Sequence, residues 1–61
     1  MEKKARIVVE KQKDGRDRVT VVDPHSGRVV SDHRTASGES DVRRIKESLE
    51  RAGNRTDVVE R

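Results

Sequence analysis

Two tight-turn signatures, Lys13-Asp14-Gly15 and Pro24-His25-Ser26-Gly27, constrain this chain more than any other feature. They cut residues 7–34 into three short segments rich in β-branched side chains, and turn length decides which side chains share a sheet face. A three-residue hairpin loop holds its last residue in the left-handed region, which Gly15 occupies without steric cost. That loop pairs Gln12 with Arg16, Lys11 with Asp17, Glu10 with Arg18, Val9 with Val19 and Ile7 with Val21. Opposite charges then face each other, and so do apolar side chains. A two-residue Asp14-Gly15 turn is the rival. It slips the register by one residue and sets Lys11 against Arg18, so it is disfavoured.

The second turn uses different chemistry. Asp23 bonds the backbone ahead of it, Pro24 presets the first turn position and Gly27 takes the left-handed exit. A four-residue loop pairs Asp23 with Arg28, Val22 with Val29 and Val21 with Val30. One face then carries Ile7, Val9, Val19, Val21 and Val30, and is the expected core. The other carries Arg6, Val8, Glu10, Arg18, Thr20, Val22, Val29, Ser31 and His33. Its small cluster of Val8, Val22 and Val29 calls for a cover.

The strands are read as residues 6–11, 17–23 and 28–33, after a polar, frayed lead at 1–4. A small-residue connector at 35–38 leads to a helix at about 39–52. Val42, Ile45, Leu49 and Ala52 recur at helical spacing as one narrow apolar stripe. Ser37 is the expected N-cap, with Ser40 as rival, and Glu39 and Asp41 place negative charge on the first turn. Glu47 and Arg51 form a supportive pair four apart. Gly53 is a natural left-handed C-cap with Asn54 behind it. One stripe covers one face of a sheet and leaves the other open. Residues 56–60, with Val58 and Val59, read as a fourth strand parallel to the first or as a tail, with the strand slightly favoured. The expected fold class is α+β, a three-stranded antiparallel sheet packed on one helix, with or without a short fourth strand. Residues 1–61 form one small domain with an ordered core at about 5–53.

Only 28% of the 61 residues are apolar, 44% are charged and none is aromatic. Such a balance lies near the disorder boundary, and the patterning of the apolar residues is what pulls it back. A core this small leaves a lone monomer marginal, which a dimer or bound partner would relieve. Without cysteine there are neither disulfides nor thiolate metal sites. No apolar run reaches membrane-spanning length and no signal-peptide core is visible, so a soluble, cytoplasmic protein is expected. The net charge is +3. Residues 1–34 hold 9 basic and 6 acidic side chains and residues 35–61 hold 6 of each. The excess in the sheet half hints at an anionic partner, against the plain alternative of a solvated surface.

Catalysis has little support. Ser26, Ser31, Ser37, Ser40 and Ser48 all have turn, cap or surface roles, and none sits in a nucleophile elbow. His25 and His33 lie near Asp23 and Asp32, but the ligand spacing is loose and surface histidines are the better reading. No phosphate loop or dinucleotide fingerprint is present, so no cofactor, metal or small-molecule substrate is expected. The strongest functional signal is basic: Lys11, Lys13, Arg16 and Arg18 around the first turn, with Arg28 at the second. A β-ribbon fits the DNA major groove. Arg18 and Thr20 would point at bases, and Lys13 and Arg16 at phosphates. Charged hairpin tips also simply keep proteins soluble, and for any single residue that is the commoner reason. The lack of aromatics removes the stacking platforms of most RNA and single-strand binders.

The run Lys13-Asp14-Gly15-Arg16, a strand, Asp23-Pro24 and Gly27-Arg28, a third strand, a Thr/Ser cap and a helix resembles the amino-terminal arm-binding domain of tyrosine-type phage and transposon integrases. The resemblance covers about residues 6–53 and rests on turn chemistry. It implies a three-stranded sheet packed on a helix, with DNA read by the sheet. Where that family carries aromatic residues on strands two and three and in the helix, this chain has Val, Ser, His and Leu. A second resemblance is to small bacterial proteins with a sheet, a helix and a final strand, and implies no function. The leading expectation is a non-enzymatic DNA-binding accessory or regulatory module. The alternative is a protein-interaction or self-associating module, such as a homodimer, that uses Val8, Val22 and Val29. An enzyme stands third.

Overall fold

The computed structural model describes residues 3–61. Its elements are β1 (Lys3–Lys11), β2 (Asp17–Val22), β3 (Val29–Thr35), α1 (Gly38–Arg51) and β4 (Asn54–Glu60). The first hairpin has the three-residue loop. Ile7 faces Val21, Val9 faces Val19, Glu10 faces Arg18 and Lys11 faces Asp17. Gly15 takes φ +83°, and the Asp14 carboxylate accepts the Arg16 N–H at 3.0 Å. At the second turn Asp23 accepts from the backbone of His25 at 3.0 Å and of Gly27 at 2.7 Å. Of the expected lead at residues 1–4, Lys3 and Lys4 belong to β1. Met1 and Glu2 lie outside the described residues.

The sheet order is β3-β2-β1-β4. β1 runs antiparallel to β2 and β2 antiparallel to β3. β4 pairs in parallel with β1, so the sheet is mixed. Residues 54–60 are thus a strand rather than a tail, and begin two residues before the expected start. The helix crosses from one sheet edge to the other, as a parallel return requires.

The third strand departs from expectation in register. Val22 faces Val29, but Val21 faces Ser31, because Val30 is an extra residue in a bulge. Val30 is therefore not in the core; it is 67% exposed. Ser31 and His33 move from the open face to the helix face, since they lie opposite Val21 and Val19. The unbulged register would set Asp32 opposite the fully buried Val19. In that place, where His33 now meets Asp41, the Asp32 carboxylate would face a second carboxylate and lose Arg18, which outweighs exposing one valine. Strand three also starts one residue later than expected and ends two residues later, taking in Arg34 and Thr35.

The core is Ala5, Ile7, Val9, Val19 and Val21, with Val42, Ile45 and Leu49 of the helix packed against it. Ile7 and Val19 are fully buried, each worth about 1.5–3 kcal/mol. Ala52, expected in the helix stripe, is exposed at the C-cap. Ser37 occupies the N-cap position without a side-chain capping bond. The cap comes from the sheet instead: the Asp17 carboxylate accepts the Gly38 N–H at 2.8 Å. At the other end Gly53, at φ +90°, turns the chain. The Asn54 amide donates to the Leu49 carbonyl at 3.1 Å, adding a second bond to an acceptor that also takes the Ala52 N–H.

Candidate functional site

The helix leaves one sheet face uncovered, and strand alternation decides what stands there. Across the middle run Asp32, Thr20, Val8 and Val59. Towards the first hairpin lie Arg34, Arg18 and Glu10, and towards the second turn lie Val29, Val22, Arg6 and Asp57. The face is predominantly polar and its charges are partly paired. Arg18 donates to both oxygens of Asp32, at 3.0 and 2.5 Å. That fork raises the Arg18 guanidinium and holds the Asp32 carboxyl below the ordinary aspartate range, chiefly through the hydrogen bonds and secondarily through charge, with desolvation opposing both shifts. Arg6 donates to Asp57 across β1 and β4 at 3.3 Å.

The valine cluster does not form an open apolar patch. Val8 is only 8% exposed, enclosed by its own sheet neighbours. Val22 is half-buried and Val29 is 55% exposed at the sheet edge.

The basic residues divide into two groups. Lys11, Lys13 and Arg16 are exposed at the first hairpin. The nearby Asp14 carboxylate is engaged by the loop backbone and that of Asp17 by the helix N-terminus. Neither carboxylate forms an ion pair with these cations. Arg28 stands at the second turn, at the opposite end of β2, roughly 20 Å away at about 3.3 Å per strand residue. The structure does not bring it to the first hairpin. Arg18 is on the open face as expected, but committed to Asp32. Thr20 is half-buried in the central row. Sequence reasoning missed Arg34. It lies opposite Arg18 on the same face, adds to the positive charge around Asp32, and among the described residues makes no hydrogen bond or ion pair through its side chain. Only the bulge puts it there, and no residue in that stretch signals a bulge.

On the helix side, His33 and Asp41 meet at 3.0 Å through Nε2 and Oδ2. The bond to His33, then one to Thr35, lowers the Asp41 carboxyl below its ordinary range. A shallow groove of about 420 Å³ lies beside them, lined by His33, Asp41, Arg44, Ile45 and Ser48. Ser48 makes no hydrogen bond to His33 among the described residues. Among the described residues no three histidine or carboxylate side chains converge as metal ligands would. Among the described residues no helix is long and apolar enough to cross a membrane.

No family model matches the chain, and neither a curated protein nor a solved structure matches it significantly.

Proposed function

We propose that the protein is a small, non-enzymatic module that binds duplex DNA through its first hairpin, with the uncovered sheet face turned towards the duplex. The observation that carries this reading is the set of cations Lys11, Lys13 and Arg16 on one hairpin, none of which has an ionic partner among the described residues. The Asp14 and Asp17 carboxylates of the same hairpin are engaged by backbone N–H groups instead. Phosphates are the ligand that exposed cations outside ion pairs suit best. The arm-binding resemblance points the same way, since that family reads DNA with an antiparallel sheet on a helix; β4 is an addition to that plan. Arg18 holds Asp32 across the sheet and positions the face. Arg28, a strand length away, stays outside the contact.

The test is a salt titration of binding to random duplex DNA. With about three phosphates neutralised, log K falls against log salt with a slope near −2.7. Lys13 and Arg16 changed together to Ala flatten the slope by about two units and weaken binding on all sequences alike. Arg28→Ala leaves the slope as it is. No retention on duplex DNA at low salt would overturn the proposal and leave a protein-interaction module in its place.

A further inference from the structure

The exposed edge of β3 carries a charge pattern that fits a second copy of itself. β3 ends the sheet on one side, and among the described residues β2 is its only strand neighbour. Alternation of the ladder shows which backbone groups it presents. The Gln12 N–H bonds the Arg16 carbonyl, so β2 turns Arg18, Thr20 and Val22 towards β1, and Asp17, Val19 and Val21 towards β3. The Asp23 N–H bond to the Arg28 carbonyl and the Arg61 N–H bond to the Val9 carbonyl keep the same phase. On β3 the partners of those residues, Ser31, His33 and Thr35, face inwards. Asp32 and Arg34 therefore direct their backbone N–H and C=O groups outwards.

We propose that two copies of the chain pair through β3, antiparallel about a twofold axis at His33, joining two four-stranded sheets into one of eight. Charge selects that register. An axis at Asp32 sets two carboxylates opposite each other, and an axis at Arg34 sets two guanidinium groups opposite each other. With the axis at His33, Asp32 of each copy faces Arg34 of the other, twice by symmetry. These are also the positions whose backbone groups point outwards, so each charged pair is also a hydrogen-bonded pair. Arg34 needs such a partner, because its neighbour within the chain is Arg18, and Arg18 has taken Asp32. Asp32 has lone pairs for both, since an ionised carboxylate accepts about four hydrogen bonds. The same register brings the exposed Val30 towards Ala36 of the second copy. Charges and a bulge on an edge strand discourage indiscriminate pairing; here the alternation of sign leaves one register open. This inference does not depend on DNA binding.

The chain has no cysteine, which permits a clean register test. Residue 33 meets its own copy as a non-hydrogen-bonded pair with Cα atoms about 4.5 Å apart, within disulfide reach. Residue 31 lies about four residues along the ladder from its own copy, roughly 13 Å away and out of reach. Sedimentation of the wild type should show a concentration-dependent dimer. Under mild oxidation His33→Cys should link into dimers at least about ten times faster than Ser31→Cys, with circular dichroism checking that both variants are folded. Arg34→Glu should weaken the dimer about tenfold or more, by setting like charges opposite each other twice, whereas Arg34→Lys should preserve it. A monomer at all concentrations would overturn the proposal. So would a dimer indifferent to Arg34→Glu, or equal cross-linking at positions 31 and 33.

Discussion

Gly38 and Asp17 meet where the helix begins, and their contact reverses an ordinary rule. Replacing a helical glycine by alanine usually stabilises by about 0.4–1 kcal/mol, because alanine loses less entropy on folding. A Cβ on Gly38 would lie 2.6 Å from the Asp17 Oδ2, 3.0 Å from its Cβ and 3.1 Å from its Cγ. The whole side chain is in the way, so the capping carboxylate must leave. Gly38→Ala is expected to destabilise by about 1–2 kcal/mol, the worth of a lost N-cap. Asp17→Ala should cost about as much. The double variant should cost clearly less than the sum, because the clash and the cap share one side chain. Urea melts of the four proteins check this, and strict additivity would refute the account.

Among the elements, β3 and α1 show how a few side chains set a placement. The helix presents Val42, Ile45 and Leu49 to the core, but all three remain half-buried, because no second layer closes over them. Leu49→Ala should therefore cost about 1–3 kcal/mol, towards and below the lower end of the range for buried leucines. That is a large share of a stability of roughly 3–9 kcal/mol for a chain of this length. Val21→Ala should also destabilise, since Val21 is 5% exposed. Val30→Ala, by contrast, should stay within about 0.5 kcal/mol of wild type, as surface substitutions do. Thermal melts comparing Val21→Ala with Val30→Ala test the bulge directly. Equal losses would place Val30 in the core and remove the bulge.

Taken as a whole, the molecule is held by a small apolar core and by carboxylates that tie one element to another. Asp32 joins β3 to β2 through Arg18, and Asp41 joins α1 to β3 through His33. Both are held below the ordinary aspartate range, Asp32 first by its hydrogen bonds to Arg18 and Asp41 first by its bond to His33. A carboxyl lowered in the folded state stabilises above its unfolded pKa, and that contribution disappears as pH falls through the folded value. Stability should thus be level near neutrality, begin to drop as pH enters the ordinary aspartate range, and keep dropping below it. Urea midpoints from neutral pH down to about pH 2 measure this. The variant Asp32→Asn with Asp41→Asn should be less stable near neutrality and show a shallower acid limb. An unchanged acid limb would mean that these two groups are not the ones responsible.

Much of this arrangement was legible in the chain because it rests on neighbours in sequence. Gly15 and Gly27 mark turns that only a left-handed residue suits, and the loop length then sets Val9 against Val19 and Ile7 against Val21. The spacing of Val42, Ile45 and Leu49 needs nothing beyond the helical period. What escaped was decided between elements. The bulge at Val30 exists because the regular register would turn Asp32 towards Asp41 and away from Arg18, a conflict that appears only once the strands are paired. With the bulge came the placing of His33 beside Asp41 and of Arg34 on the open face. The helix cap came from Asp17, twenty-one residues away, rather than from Ser37 beside it. The separation of Arg28 from the first hairpin followed from strand direction. Local backbone preference is written residue by residue, whereas the best place for a charge depends on every element that surrounds it.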